Sequence, residues 1–378
     1  MAAKKMVLIG GGHAHMVTLA RLRTFSEKGY EVTVIQPSDY HYYSGMGPGM
    51  LGGTYTPDEI RFNTRKVVEG QGGCFIRGKV RRIDPAHQVV SLEGAEGNIA
   101  YDVLSCNAGS FVPLGSFIQG PNVFTAKPIE GLLKARQEII KRGKRESLEI
   151  AIIGGGPSGL EIAGNIWQLS ELEELPAVTI RILAGKQLMR HHPEKIGILA
   201  RKICTKRGIE VVEGSYVQEM KGGYITLQDG RSYRADMIFP AIGVKPSAIF
   251  AESGLPTGPD GGLLVNEYLQ STTFSNIFGG GDCISFQPRP LAKVGVYAVR
   301  ANPVLYHNLM AALDGKQLLS FDPGGQYLLI YNLGGGVGIL CKWFFIFSGR
   351  FAFTIKDHID RKFIETFQAV EQNNLHLR

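Results

Sequence analysis

The chain has 378 residues, 44% of them hydrophobic and 20% charged, which suits a globular protein of about two or three domains and excludes a disordered one. Its formal charge of +7 fits an anionic cofactor, a nucleic acid or an anionic lipid surface, and no nucleic-acid motif selects the second. Five cysteines (Cys74, Cys106, Cys204, Cys283 and Cys341) are odd in number, far apart and without a CxxC pair, which argues against a zinc site and for a reducing, cytoplasmic compartment.

The N-terminus runs at once into an apolar strand, residues 6–9, too short for the core of a signal peptide. That strand ends in Gly10-Gly11-Gly12, followed by a helical pattern over 14–25 and a β-rich run over 31–35. The succession recurs as Ala151-Ile152-Ile153-Gly154-Gly155-Gly156, a helical pattern over 158–169 and a β-rich run over 178–183. Both are βαβ units and imply parallel sheets, so the fold class is α/β with two Rossmann-like domains.

After the first unit, residues 62–104 alternate short β pieces with turns and predict a small sheet on the first domain; residues 210–237 form a similar segment after the second. Asn276-Ile277-Phe278-Gly279-Gly280-Gly281-Asp282 is a further buried strand ending in glycines, with no βαβ unit of its own. The economical topology nests one domain in the other: 1–120 with 241–320, the inserted 121–240, and a C-terminal segment 321–378. The most apolar stretch, 327–347, carries Gly334, Gly335, Gly336, Gly338 and Lys342, and reads as strands and a turn rather than a spanning helix.

In Gly10-x-Gly12 the first glycine serves a tight turn and the second lets a pyrophosphate approach the backbone, where the amides of His13 and Ala14 open the helix. The third glycine of the fingerprint is replaced by His15, so an ordinary strand-to-helix turn remains an alternative. The acid expected after the next strand is replaced by Gln36, which still offers one acceptor and one donor to a ribose. The second fingerprint, Gly154-x-Gly156-x-x-Gly159, is complete, with Pro157 and Ser158 opening its helix and Glu161 following. Its strand ends in Leu183-Ala184-Gly185 without an acid; Arg181, Lys186 and Arg190 nearby either attract a 2′-phosphate or are solvated surface, so NADH and NADPH both stay open.

Residues 277–283, with Thr272 and Thr273 upstream, resemble the second flavin motif of the two-domain flavoprotein (pyridine nucleotide-disulfide oxidoreductase) superfamily. The resemblance implies FAD, with Asp282 on the ribityl chain and the backbone at Gly281 on the pyrophosphate. Residues 101–110, with Asn107-Ala108-Gly109, and residues 239–246 resemble the superfamily's two turns flanking the inserted domain. Tyr42-Tyr43-Ser44-Gly45-Met46-x-Pro48-Gly49 and the tail from Gly349 to Phe363 resemble type II NADH dehydrogenase-like flavoproteins, especially those related to the flavoprotein region fused to selenide, water dikinase. By that resemblance Ser44, Gly45 and Met46 lie against the flavin, and Val80 joins the cofactor contacts. Lys293 and Val294 open a helix after the third motif, where a lysine either meets the pyrimidine end of the flavin or is solvated.

The expected activity is hydride transfer from NAD(P)H to flavin, with Glu161 at the nicotinamide edge and Lys293 tuning the flavin, and onward transfer to a quinone or another small acceptor. A dithiol reductase is disfavoured by the missing CxxC. A sulfide:quinone oxidoreductase-like enzyme would need Cys204 and Cys341 to pair, and a non-catalytic flavin sensor is the third alternative. Quinone motifs of type II dehydrogenases carry glutamines where this chain has residues 293–300. The tail aromatics Trp343, Phe344, Phe345, Phe347, Phe351 and Phe353, interleaved with basic residues, suit a peripheral lipid interface, the first domain or a second subunit.

Overall fold

The computed structural model describes residues 3–115, 118 and 120–373; the end of the C-terminal segment, 374–378, lies outside the described residues. A first parallel sheet has the strand order Ile277–Gly279, Val103–Cys106, Lys5–Ile9, Glu31–Gln36, Cys74–Arg77. Its inner strands are short runs of aliphatic residues, and Met6, Leu8, Val34, Leu104 and Phe278 have no exposure, as a sheet covered on both faces requires. A second parallel sheet has the order Glu210–Val212, Val178–Leu183, Leu148–Ile153, Met237–Pro240.

Residues 62–104 divide among three sheets, the first a short pairing of Arg61–Asn63 with Tyr40–Tyr42. Cys74–Arg77 extends the large parallel sheet, because Phe75 and Ile76 continue its apolar pattern, while Val80–Asp84, Val89–Leu92 and Asn98–Ala100 make a separate antiparallel sheet. The segment after the second unit is also divided, with a meander of Val217–Lys221, Tyr224–Leu227 and Ser232–Arg234.

The helix expected over 14–25 is broken into a 3-10 turn, His13–His15, and two short helices, Met16–Ala20 and Arg23–Ser26. The buried Gln71 enters the break: its amide nitrogen donates to the Leu19 carbonyl at 2.5 Å and its oxygen accepts from the Arg23 amide at 3.3 Å. A side chain inserted into the helical ladder interrupts it. Helix α1, Pro157–Leu172, is continuous, with proline in its first turn where no amide hydrogen is needed.

Helix α2, Gly295–Asp314, lies across the His13–His15 turn: the Asn302 amide donates to the His13 carbonyl at 2.5 Å and its oxygen accepts from the Val17 amide at 2.9 Å. Strands Leu329–Asn332, Gly338–Lys342 and Phe345–Gly349 form an antiparallel sheet leading into helix α3, Arg350–Asn373. Ala352, Ile364, Phe367 and Val370 of α3 are buried, and Phe367 packs on Phe62.

Candidate functional site

The two glycine turns repeat one close approach. A side chain on Gly10 would overlap the Asn107 carbonyl, and one on Gly154 the Ala241 carbonyl, in each case the backbone just past a neighbouring strand of the same sheet. Gly159 presses on the Gly154 carbonyl oxygen, so the third glycine of that fingerprint is obligatory. At the first turn His15 does the equivalent work differently. It is wholly buried, its ring bonding the Gly10 carbonyl through Nδ1 at 2.6 Å and the Ser105 hydroxyl through Nε2 at 2.8 Å.

The first turn meets the later glycine motif directly. Gly280 lies against Ala14, and Gly281 against the Asn107 side chain, so Gly10, Gly12, Ala14, Asn107 and Gly281 converge from three parts of the chain. The amide nitrogen of buried Asn107 stands beside Gly12 and, like Nε2 of His13, has no hydrogen-bond partner among the described residues. Burial holds both His13 and His15 at about 4, so these rings are neutral at physiological pH. Ala108 and Gly109 follow the strand Val103–Cys106, with Gly109 left-handed at φ +67°. A backbone cradle with orphaned buried polar atoms fits a dinucleotide pyrophosphate.

Asp282 is fixed by Ser110 at 2.8 Å and by an ion pair with Lys127 at 2.5 Å, both on Oδ2. Burial pushes its carboxyl up, but the Lys127 charge and these hydrogen bonds outweigh it and hold the group below its ordinary range. Lys293 lines one cavity with Gly281, Asp282 and Val294, and its ammonium pairs with Asp260 at 2.6 Å and donates to the Ile284 carbonyl at 2.5 Å. Val294 is the N-cap of α2. The Gln36 amide is likewise spent on its own loop, accepting from Gly11 at 2.9 Å and donating to the carbonyls of Ser38 at 2.6 Å and Tyr40 at 3.0 Å. Val80 is buried at the start of the antiparallel sheet.

Glu161, in the first turns of α1, accepts the Asn332 amide at 2.8 Å. Burial pushes its carboxyl up to about 7, against the Lys356 charge and the Asn332 amide, which pull it down; Asp360 acts in the same sense as burial. The Lys356 ammonium, on α3, donates to the Gly45 carbonyl at 2.9 Å and pairs with Asp360 at 2.7 Å, and Asp360 also accepts the Tyr43 hydroxyl at 3.0 Å. Ser44–Met46 is a 3-10 turn whose Met46 is wholly buried and whose Gly45 packs against the Tyr43 ring. Glu161 thus lies within electrostatic reach of a hydrogen-bonded set, Tyr43, Gly45, Lys356 and Asp360, that joins the Ser44–Met46 loop to α3. Pro157 and Ser158 sit at the helix start, and a side chain on Gly156 would project into the open rim of the turn.

Lys127 and Asn302 carry no motif of their own, and Asn107, Lys356 and Asp360 stand within segments read for their resemblance without a role assigned to them. The physical signal for the last two is their i, i+4 spacing, which sets opposite charges on one helix face.

A family model described as pyridine nucleotide-disulphide oxidoreductase matches residues 4–303. The chain belongs to that family. It is an oxidoreductase, and membership brings flavin and pyridine-nucleotide binding with the paired Rossmann-like sheets. Among relatives, it is 24% identical to ferroptosis suppressor protein 1 of Taeniopygia guttata over 88% of each chain. It is also 24% identical to the type II NADH:quinone oxidoreductase of Staphylococcus aureus, covering 84% of this chain and 85% of that one. The structure of NDH2 from Plasmodium falciparum in complex with NADH superimposes with a TM-score of 0.81 at 14% identity, over 99% of this chain and 100% of that one.

The thiols offer little to this family's dithiol chemistry. Cys106, Cys204, Cys283 and Cys341 are buried, all five cysteines are free, and burial pushes Cys204 and Cys283 up to about 11. Among the described residues no helix is long and apolar enough to cross a membrane.

Proposed function

We propose that this protein is an FAD-dependent NAD(P)H dehydrogenase that passes its electrons to a quinone-class acceptor. NAD(P)H, one proton and a quinone give NAD(P)+ and a quinol. FAD supplies the two-electron carrier between nicotinamide and acceptor. Gly10, Gly12, His13, Ala14, Ala108, Gly109 and Gly281 would hold its dinucleotide, and Asp282, fixed by Ser110 and Lys127 through Oδ2, would accept from its ribityl chain. Gly154 to Gly159 hold the nicotinamide dinucleotide at the positive end of α1. The names of the relatives, an NADH:quinone oxidoreductase and an NADH-bound NDH2, support this reading.

The observation that carries it is Glu161. A carboxyl near 7, anchored by the Asn332 amide beside the nicotinamide turn, both holds and releases a proton at neutral pH. Lys356 and Asp360 fix the charge next to it, and through Gly45 they tie it to the loop assigned to the flavin. Anaerobic stopped-flow measurement tests this. Glu161→Gln should leave reduction by NAD(P)H largely intact and slow reoxidation by a soluble quinone about 100-fold. Unchanged reoxidation would remove Glu161 from the acceptor step, and flavin bleached by neither nucleotide would overturn the dehydrogenase.

A lipid-soluble acceptor calls for a surface that meets lipid. Trp343, Phe344 and Phe345 stand exposed at the turn between Gly338–Lys342 and Phe345–Gly349, Phe344 at 80%, with the Lys342 ammonium 4.8 Å from the Trp343 ring centre. An aromatic tip with a basic neighbour suits peripheral contact with an anionic leaflet.

A further inference from the structure

The second glycine turn has a rim of distinctive chemistry. A carboxylate at the end of the following strand would bond both ribose hydroxyls of NADH and repel a 2′-phosphate. Here Val178–Leu183 runs instead into Ala184, which is buried against Gly155. The chain turns at left-handed Gly185, φ +64°, and folds back so that the Met189 amide donates to the Gly155 carbonyl at 2.7 Å. This return brings the loop bearing Lys186 and Arg190 onto the rim of the same turn. Both side chains are exposed, and neither is paired with a carboxylate among the described residues.

The neighbouring charges are already spent. Arg181 is held by Glu149 at 3.3 Å and Glu210 at 2.5 Å, and so is excluded as a phosphate ligand. Glu213, the carboxylate that touches the returning loop, accepts the Leu188 amide at 2.7 Å and pairs with Arg201 at 2.6 Å. The loop returning to the rim of the turn thus carries two exposed cations with no carboxylate partner among the described residues, and a methyl group stands where the repelling acid would.

We infer that this site is built for a 2′-phosphorylated nucleotide, NADPH, with Lys186 and Arg190 binding the phosphate. The inference rests on the reading of Gly154 to Gly159 as the nicotinamide dinucleotide site. Selectivity comes from both sides: a guanidinium fork and an ammonium attract the dianion, and Ala184 removes the group that would reject it.

Two measurements on the purified flavoprotein test it: calorimetric titration with 2′,5′-ADP and 5′-AMP, and anaerobic flavin reduction by NADPH and NADH. 2′,5′-ADP should bind about tenfold or more tighter than 5′-AMP, and NADPH should lead NADH by a similar factor in kcat/KM. Both ratios should fall to near one in the Lys186→Ala, Arg190→Ala double variant, and Ala184→Glu should invert them. Equal binding of the two fragments, or preferences untouched by the double variant, would overturn the inference while leaving the dehydrogenase standing. A preference for 2′,5′-ADP without flavin reduction by either nucleotide would sustain the inference and overturn the dehydrogenase.

Discussion

Glu161→Gln has a consequence for stability that is independent of turnover. Burial raises the Glu161 carboxyl from 4.5 to about 7, a shift worth about 3 kcal/mol between its two protonation states. Below the unfolded value both states of the protein carry the proton, and the group costs nothing. Between the unfolded and folded values only the folded protein keeps it, so stability falls with rising pH, and the whole cost is present above the folded value. Glutamine is close in shape, keeps the oxygen that accepts the Asn332 amide, and does not ionise. The wild type should therefore lose about 3 kcal/mol relative to Glu161→Gln as pH rises from about 5 to about 8. Urea denaturation of both proteins across that range measures it. A difference that stays constant with pH would show that Glu161 is an ordinary carboxylate and would remove the basis for its role as a proton holder.

Three further outcomes follow from the geometry. Gly159→Ala drives a methyl into the Gly154 carbonyl oxygen and should abolish tight nucleotide binding at the second turn, at a stability cost of about 1–3 kcal/mol; wild-type affinity by titration would refute the close approach. Lys127→Met leaves the Asp282 carboxylate with Ser110 as its remaining side-chain partner and should weaken flavin retention by about 2 kcal/mol, read as the cofactor lost on dilution, whereas full retention would show the pair to be ornamental. Replacing Trp343, Phe344 and Phe345 by serine should cut cosedimentation with anionic vesicles several-fold while turnover with a soluble quinone is preserved; undiminished sedimentation would place the membrane contact elsewhere.

The parts of the fold legible in the sequence are those with local causes. A strand that must end against a phosphate writes itself as an aliphatic run followed by glycines, and both turns are read that way without the structure. The boundaries of Val178–Leu183 and Val89–Leu92 follow from their apolar runs and flanking turns. What stays hidden is what the topology assembles. Lys356 and the Gly45 carbonyl are 311 positions apart, and Lys127 and Asp282 are 155 apart, so no periodicity links them. The break in the 14–25 helix depends on Gln71, a residue from another segment. His15 reads as a defect in a glycine fingerprint, but a side chain with hydrogen-bonding groups at both ring nitrogens can brace the turn that a glycine would have closed by contact. Lys293 illustrates the opposite case, a residue whose motif context suggested a free charge but whose ammonium is already matched by Asp260, 33 positions earlier in the chain.

Helix α3 brings Lys356 and Asp360 to Glu161, and the antiparallel sheet that leads into it brings the Asn332 amide. Without that packing Glu161 would be a solvated carboxylate, deprotonated in neutral water. Its affinity for a proton therefore belongs to the assembled fold and not to the helix that carries it.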